Sequence, residues 1–330
     1  METFGRSERN LKETILKALS AGNYVSGERL SREMKVSRPA IWKHIEKLKG
    51  DGFVIEARKG KGYRLKSVPD ILFPDLIRQQ TGTRCFGQKI HHFLRTDSTN
   101  RQARSLASEG ASEGTLVVAE YQEKGKGRLS RVWESPSSQN LLFSLILRPN
   151  WPPRQAFYGT VLASISLCRA IQEIADIPVG IKWPNDIYCR DKKLAGILTE
   201  FSTDPDRLGY MIIGIGVNCH WAPMEVLPEG QPATSILQEA GKKISRLQLL
   251  ARFLTHGEAL YEKAQIEGVG FLREEWDRYS IIKNRRVTIL SSQPSRTGEA
   301  QGIDDHGGLI VFFDDGRKET ILTGDVHLRI

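Results

Sequence analysis

At 330 residues, with 39% hydrophobic and 26% charged residues, the chain is too long for one core and too ordinary in composition to be disordered, collagen-like or disulfide-dense, so two or three globular domains are expected. Its formal net charge of +9 is uneven: residues 1–66 hold 16 Lys and Arg against 8 Asp and Glu, while the remainder holds 32 against 31, which assigns any polyanionic partner to the N-terminal block. The 4 cysteines stand singly, which argues against zinc and disulfides, and the polar Met1–Asn10 with a longest apolar run of only Leu141–Leu147 predicts a cytoplasmic protein with no leader and no membrane partner.

In chain order, Leu11, Ile15, Ala18 and Leu19 recur at helical spacing and Gly22-Asn23 stops that helix. A second short helix runs from Gly27 through Leu30 to Met34. A third opens with Ser37 as N-cap and Pro39 in its first turn, and buries Ile41, Ile45 and Leu48. Its other face carries Ser37, Arg38, Lys43, His44 and Lys47, residue types that reach phosphates and base edges from a major groove. Phe53 to Glu56, a Gly60-Lys61-Gly62 tip and Tyr63 to Leu65 then read as a basic hairpin with Lys61 at its tip. Three such helices and a hairpin resemble a winged helix-turn-helix, a DNA-binding fold.

The polar, Pro-containing stretch near 66–72 reads as a linker. Beyond it the pattern predicts helices at 99–109, 154–175 and 246–264 and strands at 115–121, 141–148, 179–188, 194–201 and 210–218, the last three as an antiparallel meander. From Arg285 short strands at Val287–Ile289, Leu309–Phe313 and Thr320–Leu322 alternate with Gly-rich turns, as in a small SH3-like β-barrel. The class is α+β.

No P-loop is present, and Gly214-Ile215-Gly216 lacks the third glycine of a dinucleotide fingerprint. Gly125-Lys126-Gly127-Arg128 with Arg131 is a flexible cationic loop suited to a phosphate or carboxylate. Together with Asp97-Ser98-Thr99-Asn100, Glu120-Tyr121-Gln122, Lys182-Trp183-Pro184-Asn185-Asp186 and Lys193-Leu194-Ala195-Gly196-Ile197-Leu198, it resembles the biotin protein ligase (biotin-[acetyl-CoA-carboxylase] ligase) family. With the N-terminal domain, the resemblance is to the family's bifunctional members, which are both ligase and biotin operon repressor.

The resemblance implies a winged helix-turn-helix at 1–66, a class II synthetase-like ligase domain at 67–282 with a mixed or antiparallel sheet, and a C-terminal domain at 283–330. It implies that biotin and ATP, with Mg²⁺, form biotinyl-5′-AMP, and that the biotinyl group passes to a lysine of a biotin carboxyl carrier protein. Ser98, Thr99, Asn100, Gln122, Gly125, Lys126, Gly127, Arg128 and Lys193 would hold biotin; Arg128, Arg131, Trp133, Asn185, Lys193 and Asn218 the nucleotide; Lys193, Arg128 and Asp186 would serve catalysis. Ser98 and Thr99 fit a helix N-cap equally well. Trp133 either stacks near the adenine or belongs to the core, and Asn185 and Asp186 either ligate Mg²⁺ or assist the incoming amine. Lys126 stands where arginine is usual in the family, so charge is kept and the bidentate fork is lost. The adenylate would also act as corepressor, promoting a homodimer on operator DNA. A ligand-sensing repressor without ligase activity and a lipoate-type ligase are the competing readings.

Overall fold

The computed structural model describes residues 11, 14–16, 18–19, 23–50, 53–67, 70–203, 208–224, 232–290, 295–322, 324 and 326–328. Met1–Asn10, Gly22 and the Val68-Pro69 part of the expected linker lie outside them. The chain divides into two compact units, Met1–Ile71 and Leu72–Ile330.

In the first unit, helical residues 11, 14–16 and 18–19 precede α1 (Gly27–Met34) and α2 (Arg38–Gly50). Ser26 caps α1 by accepting the Arg29 N–H at 3.1 Å, and the Ser37 hydroxyl accepts the Ala40 N–H at 3.3 Å, so the cap assigned to Ser37 is present. Ile15, Leu19, Leu30, Ile41, Ile45 and Leu48 form the core. Strands β1 (Val54–Arg58) and β2 (Gly62–Ser67) pair antiparallel, and Val25 exchanges two backbone hydrogen bonds with Tyr63. Gly62 sits at φ +99, where a Cβ would fall 2.1 Å from the Val25 carbonyl oxygen, so only glycine lets the hairpin close against that strand.

The second unit is built on a seven-stranded mixed sheet, in the order β3 (Ile90–Phe93), β4 (Leu116–Ala119), β5 (Leu141–Leu147), β9 (Leu208–Val217), β8 (Lys192–Thr203), β7 (Asp186–Cys189) and β6 (Val179–Lys182). Only β3 and β4 are parallel, and β6 to β9 form the expected meander. Alternation along β5 sends Phe143 toward Phe253, ring centroids 5.0 Å apart, and Ser144 to the opposite face, where its hydroxyl bonds Thr99 and Asn100. Two helical layers therefore cover the sheet. One is α4 (Thr99–Ser108), which buries Ala103 and Ala107 with Val117, Ile146 and Ile212; the other contains α5 (Phe157–Ala175) and α7 (Arg246–Glu267). Helices α3 (Pro74–Gln80), α6 (Ile236–Ala240) and α8 (Phe271–Tyr279) complete the unit.

The strand expected over 179–188 is two strands. Trp183-Pro184-Asn185 turns the chain through a cis Trp183–Pro184 peptide, and Pro184 has no N–H to give a ladder. At the C-terminal end β10 (Arg285–Ile289), β11 (Arg296–Ile303), β12 (Leu309–Phe313), β13 (Lys318–Ile321) and β14 (Val326–Leu328) form an antiparallel sheet in the order β13-β12-β11-β10-β14. The sequence reading missed β11, the middle strand. Among the described residues β13 and β14 do not pair, so the sheet is open there. No helix of the described residues is long and apolar enough to cross a membrane.

Candidate functional site

One cavity of about 410 Å³ lies across the β8–β9 side of the sheet, and the separated sequence motifs converge on it. Ser98, Thr99 and Asn100 reach it from the start of α4, Gln122 from beyond β4, and Asn185, Asp186 and Lys193 from the meander; Asn218 follows β9. Lys126, Gly127, Arg128, Arg131 and Trp133 close one wall. Gly125 alone among the expected ligand residues does not line it. It is buried at the base of the loop, where its carbonyl accepts the Trp133 N–H at 3.0 Å and a Cβ would lie 2.4 Å from the Trp133 oxygen.

The Asp97-to-Asn100 motif separates into two jobs. Ser98 occupies the N-cap position of α4, yet its side chain makes no capping bond. Asp97 instead accepts the Ser98 N–H at 2.7 Å, the Gln102 amide at 3.1 Å and Arg101 at 2.9 Å. Burial raises its pKa, but these bonds outweigh burial and hold the carboxyl at about 2. Thr99 donates from both its N–H, at 2.7 Å, and its hydroxyl, at 3.0 Å, to Gln122 Oε1, which fixes the orientation of that amide and leaves its Nε2 end outside the contact. Asn100 lines the cavity as well. Its amide bonds Leu198 O, Glu200 and the Ser144 hydroxyl, which holds it in the cavity wall.

The cationic loop is an arched hairpin, with Lys126 bridged to Val132 and the Gly127 N–H bonded to Arg131 O at 2.7 Å. It lays the Trp133 ring across Gly196 and Gly216, which face each other in the β8–β9 register. A Cβ on Gly216 would fall 2.5 Å from that ring, and one on Gly214 would fall 1.8 Å from Asn100 Oδ1. The two glycines that failed as a dinucleotide fingerprint are therefore a matter of volume. Trp133 is half-buried in the cavity wall, with its indole N–H buried and unpartnered, and is distinct from the fully buried Trp183 and Trp276.

Lys193 Nζ lies 2.9 Å from Asp186 Oδ2, and both side chains are mostly buried. The other carboxylate oxygen, Oδ1, is buried with no hydrogen-bond partner. Arg128 donates to Asn185 Oδ1 at 3.2 Å and to Gly324 O at 3.5 Å. Asn185 in turn bonds Ile197 O at 2.8 Å, so cationic and acidic groups are held on one rigid frame. The C-terminal sheet reaches the same place: Val326 lines the cavity, and the Trp183 indole donates to Gly307 O at 3.0 Å. Sequence reasoning passed over Lys182, which lines the cavity and bonds the Tyr188 hydroxyl at 3.3 Å, as well as Gly196, Gly216 and Val326. The lysine stood inside a quoted motif, whereas Val326 carries no local signal.

In the N-terminal unit Ser37, Arg38, Lys43, Lys47 and Lys61 are exposed and His44 is half-buried. Arg64 pairs with Glu56 across the hairpin at 2.9 Å, and Lys61 shares the exposed tip with Lys59.

The profile of the Biotin/lipoate A/B protein ligase family matches residues 93–218, an HTH domain profile matches 12–64, and the Biotin protein ligase C terminal domain matches 283–329. The chain is 37% identical to a bifunctional ligase/repressor BirA from Bacillus subtilis, over 96% of this chain and 98% of the relative. It is 31% identical to the bifunctional ligase/repressor BirA of Escherichia coli, over 96% of each. A solved biotin protein ligase from Aquifex aeolicus in complex with biotin and ATP superposes with a TM-score of 0.62 at 28% identity, covering 73% of this chain and 99% of that one. With ligase and HTH profiles in one chain and near-complete coverage of these bifunctional relatives, the chain belongs to the Biotin/lipoate A/B protein ligase family.

Proposed function

We propose that the chain is a biotin-[acetyl-CoA-carboxylase] ligase and a biotin-responsive transcriptional repressor. The observation that carries the ligase half is the meeting of Lys193, Asp186 and Arg128 with Thr99 and Gln122 on one cavity. In this reading a biotin carboxylate oxygen attacks the α-phosphorus of ATP, the bond to the β-phosphate breaks, and pyrophosphate leaves. The acceptor lysine amine of a biotin carboxyl carrier protein then attacks the acyl carbon, loses a proton, and AMP departs. Lys193 and Arg128 offset the negative charge that gathers as two anions approach, and the fixed frame supplies their position. Gln122 presents a donor to the ureido carbonyl, and the arch from Lys126 to Trp133 keeps water from the mixed anhydride. Mg²⁺ would supply countercharge to the phosphates. Asp186 Oδ1, buried and unpartnered, fits as its protein ligand, since Mg²⁺ is commonly held by one or two carboxylates with phosphates and water.

The reading further assigns a winged helix-turn-helix to 1–66, a class II synthetase-like ligase domain to 67–282 and an SH3-like domain to 283–330. It places the protein in the cytoplasm, with biotinyl-5′-AMP as corepressor of a homodimer on operator DNA. Exposed Arg38, Lys43, Lys47 and Lys61 supply the cationic surface for that DNA.

The deciding experiment is pyrophosphate release by the full chain with ATP, Mg²⁺ and biotin, followed by addition of a carrier domain. Biotin-dependent release with labelled carrier supports the ligase. Response to lipoate in place of biotin makes it a lipoate-type ligase, and no release from folded protein that binds its promoter makes it a sensor-repressor. Gly216→Ala gives a finer check. Its Cβ cannot coexist with the Trp133 ring as placed, so affinity for a non-hydrolysable ATP analogue, measured by calorimetry, is expected to fall by about tenfold or more with unchanged far-UV circular dichroism. Unchanged affinity would remove Trp133 from the ligand wall.

A further inference from the structure

A buried polar chain stands behind Asn218. Asn140, fully buried, accepts the Cys219 N–H at 3.0 Å and the Trp221 N–H at 3.4 Å on its side-chain oxygen. Two backbone donors on one side settle which end of that amide is oxygen. Its Nδ2 therefore faces Asn218 Oδ1, at 3.3 Å, and Asn218 must turn its own Nδ2 to Thr234 O, at 3.1 Å. Asn140 is itself held from behind, because Arg246, with no exposed surface, donates to its backbone carbonyl at 3.0 Å and to Glu120 at 2.9 Å. Through these bonds the Asn140 and Asn218 pair fixes two points, Trp221 and Thr234, that bracket the cavity-lining Pro223 and Ala233.

We infer that Asn140 is a positioning residue for the nucleotide: it sets the sense of the Asn218 amide and anchors the chain on either side of Pro223 and Ala233, without touching the ligand. The inference rests on the ligase reading in one respect, that Asn218 belongs to the nucleotide side of the cavity. Asn140 is absent from the cavity lining, whereas Asn218 is part of it. Its effect is therefore indirect, through Asn218 and through the chain it holds at Cys219 and Trp221, and the test separates the two.

The experiment measures, by calorimetry in saturating biotin, binding of an ATP analogue whose α,β-bridge is methylene, so that affinity is read without turnover. Asn140→Ala is expected to weaken analogue binding about tenfold, as loss of a buried amide partner does, while biotin affinity stays within about twofold. Asn218→Ala should weaken it comparably, and the double variant should be no weaker than Asn218→Ala alone. Asn140→Asp keeps an oxygen for the Cys219 and Trp221 N–H groups and sets an acceptor in place of the donor to Asn218 Oδ1, so it should weaken analogue binding with that chain still anchored. The inference is overturned if Asn140→Ala leaves analogue affinity unchanged, if it weakens biotin equally, or if its effect adds fully to that of Asn218→Ala. Wild-type protein that binds the analogue but releases no pyrophosphate from ATP would sink the ligase reading and leave this test in force.

Discussion

Replacing Lys193 with alanine is expected to lower biotin-dependent pyrophosphate release by about a hundred- to a thousandfold, with a much smaller change in biotin affinity. Lys193 sits 2.9 Å from Asp186, both little exposed. Removing the ammonium strips the cavity of a fixed cation and also leaves the Asp186 carboxylate uncompensated where the carboxylate and phosphates must gather. Three anions would then face one another with only the other cations of the lining, Arg128 and Lys182 among them, as counter-charge. Because the loss is felt most when the two reacting anions are closest, it should appear in kcat more than in binding. Lys193→Arg keeps the charge but not its compact geometry and should recover only part of the rate. Single-turnover release in the variant at more than a tenth of the wild-type rate would remove Lys193 from the chemistry.

The second large effect concerns stability. Arg246 and Glu120 form an ion pair at 2.9 Å with side chains 0% and 2% exposed, and Glu120 also accepts the Leu72 N–H at 2.9 Å. Arg246→Leu leaves a carboxylate buried without its counter-ion, and losses of about 3–5 kcal/mol are usual for such a change. Urea denaturation followed by tryptophan fluorescence should register it as a lower midpoint; an unchanged midpoint would contradict the pair's role. The same carboxylate gives an acid signature. Burial raises its pKa, but the hydrogen bond with His92, the Arg246 charge and the Leu72 N–H outweigh burial and hold it at about 2, below its ordinary 4.5. A depressed folded pKa adds stability that is full above the ordinary value and is lost as pH falls from about 4.5 through 2. Glu120→Gln should therefore flatten the decline in stability across that window, while an unaltered decline would assign it to other carboxyls such as Asp97.

Much of this is readable in the amino-acid sequence itself. Periodicity found α2, α5 and the meander because their buried residues repeat at 3.6 or 2, and the motifs named most of the cavity lining. What escaped has physical reasons. The middle strand β11, Arg296–Ile303, has mostly polar or small residues, and its place between β10 and β12 owes more to backbone ladders than to apolar alternation. Glu120 and Arg246 carry charges that a one-dimensional reading assigns to solvent; only the fold reveals that they neutralise each other in the interior. The contacts of Asp186 with Lys193 and of Thr99 with Gln122 were likewise invisible, although every partner had been named. Ser98 stands at the N-cap position as its residue type suggests, but its hydroxyl makes no cap bond, and Asp97 ties the start of the helix by accepting the Ser98 N–H and the Arg101 and Gln102 side chains.

The floor beneath Trp133 bears on how the site could be re-engineered for a bulkier acid. Gly196 and Gly216, paired across β8 and β9, already present bare backbone to the indole. Nothing smaller can be written at either position, so the floor directly beneath the indole is at its limit and substitution there can only narrow it. Extra room has to come from lining side chains larger than these glycines, Trp133 above them and Leu198 and Ile215 of the same strands. A library for altered ligand selectivity should accordingly leave Gly196 and Gly216 untouched and diversify Trp133, Leu198 and Ile215.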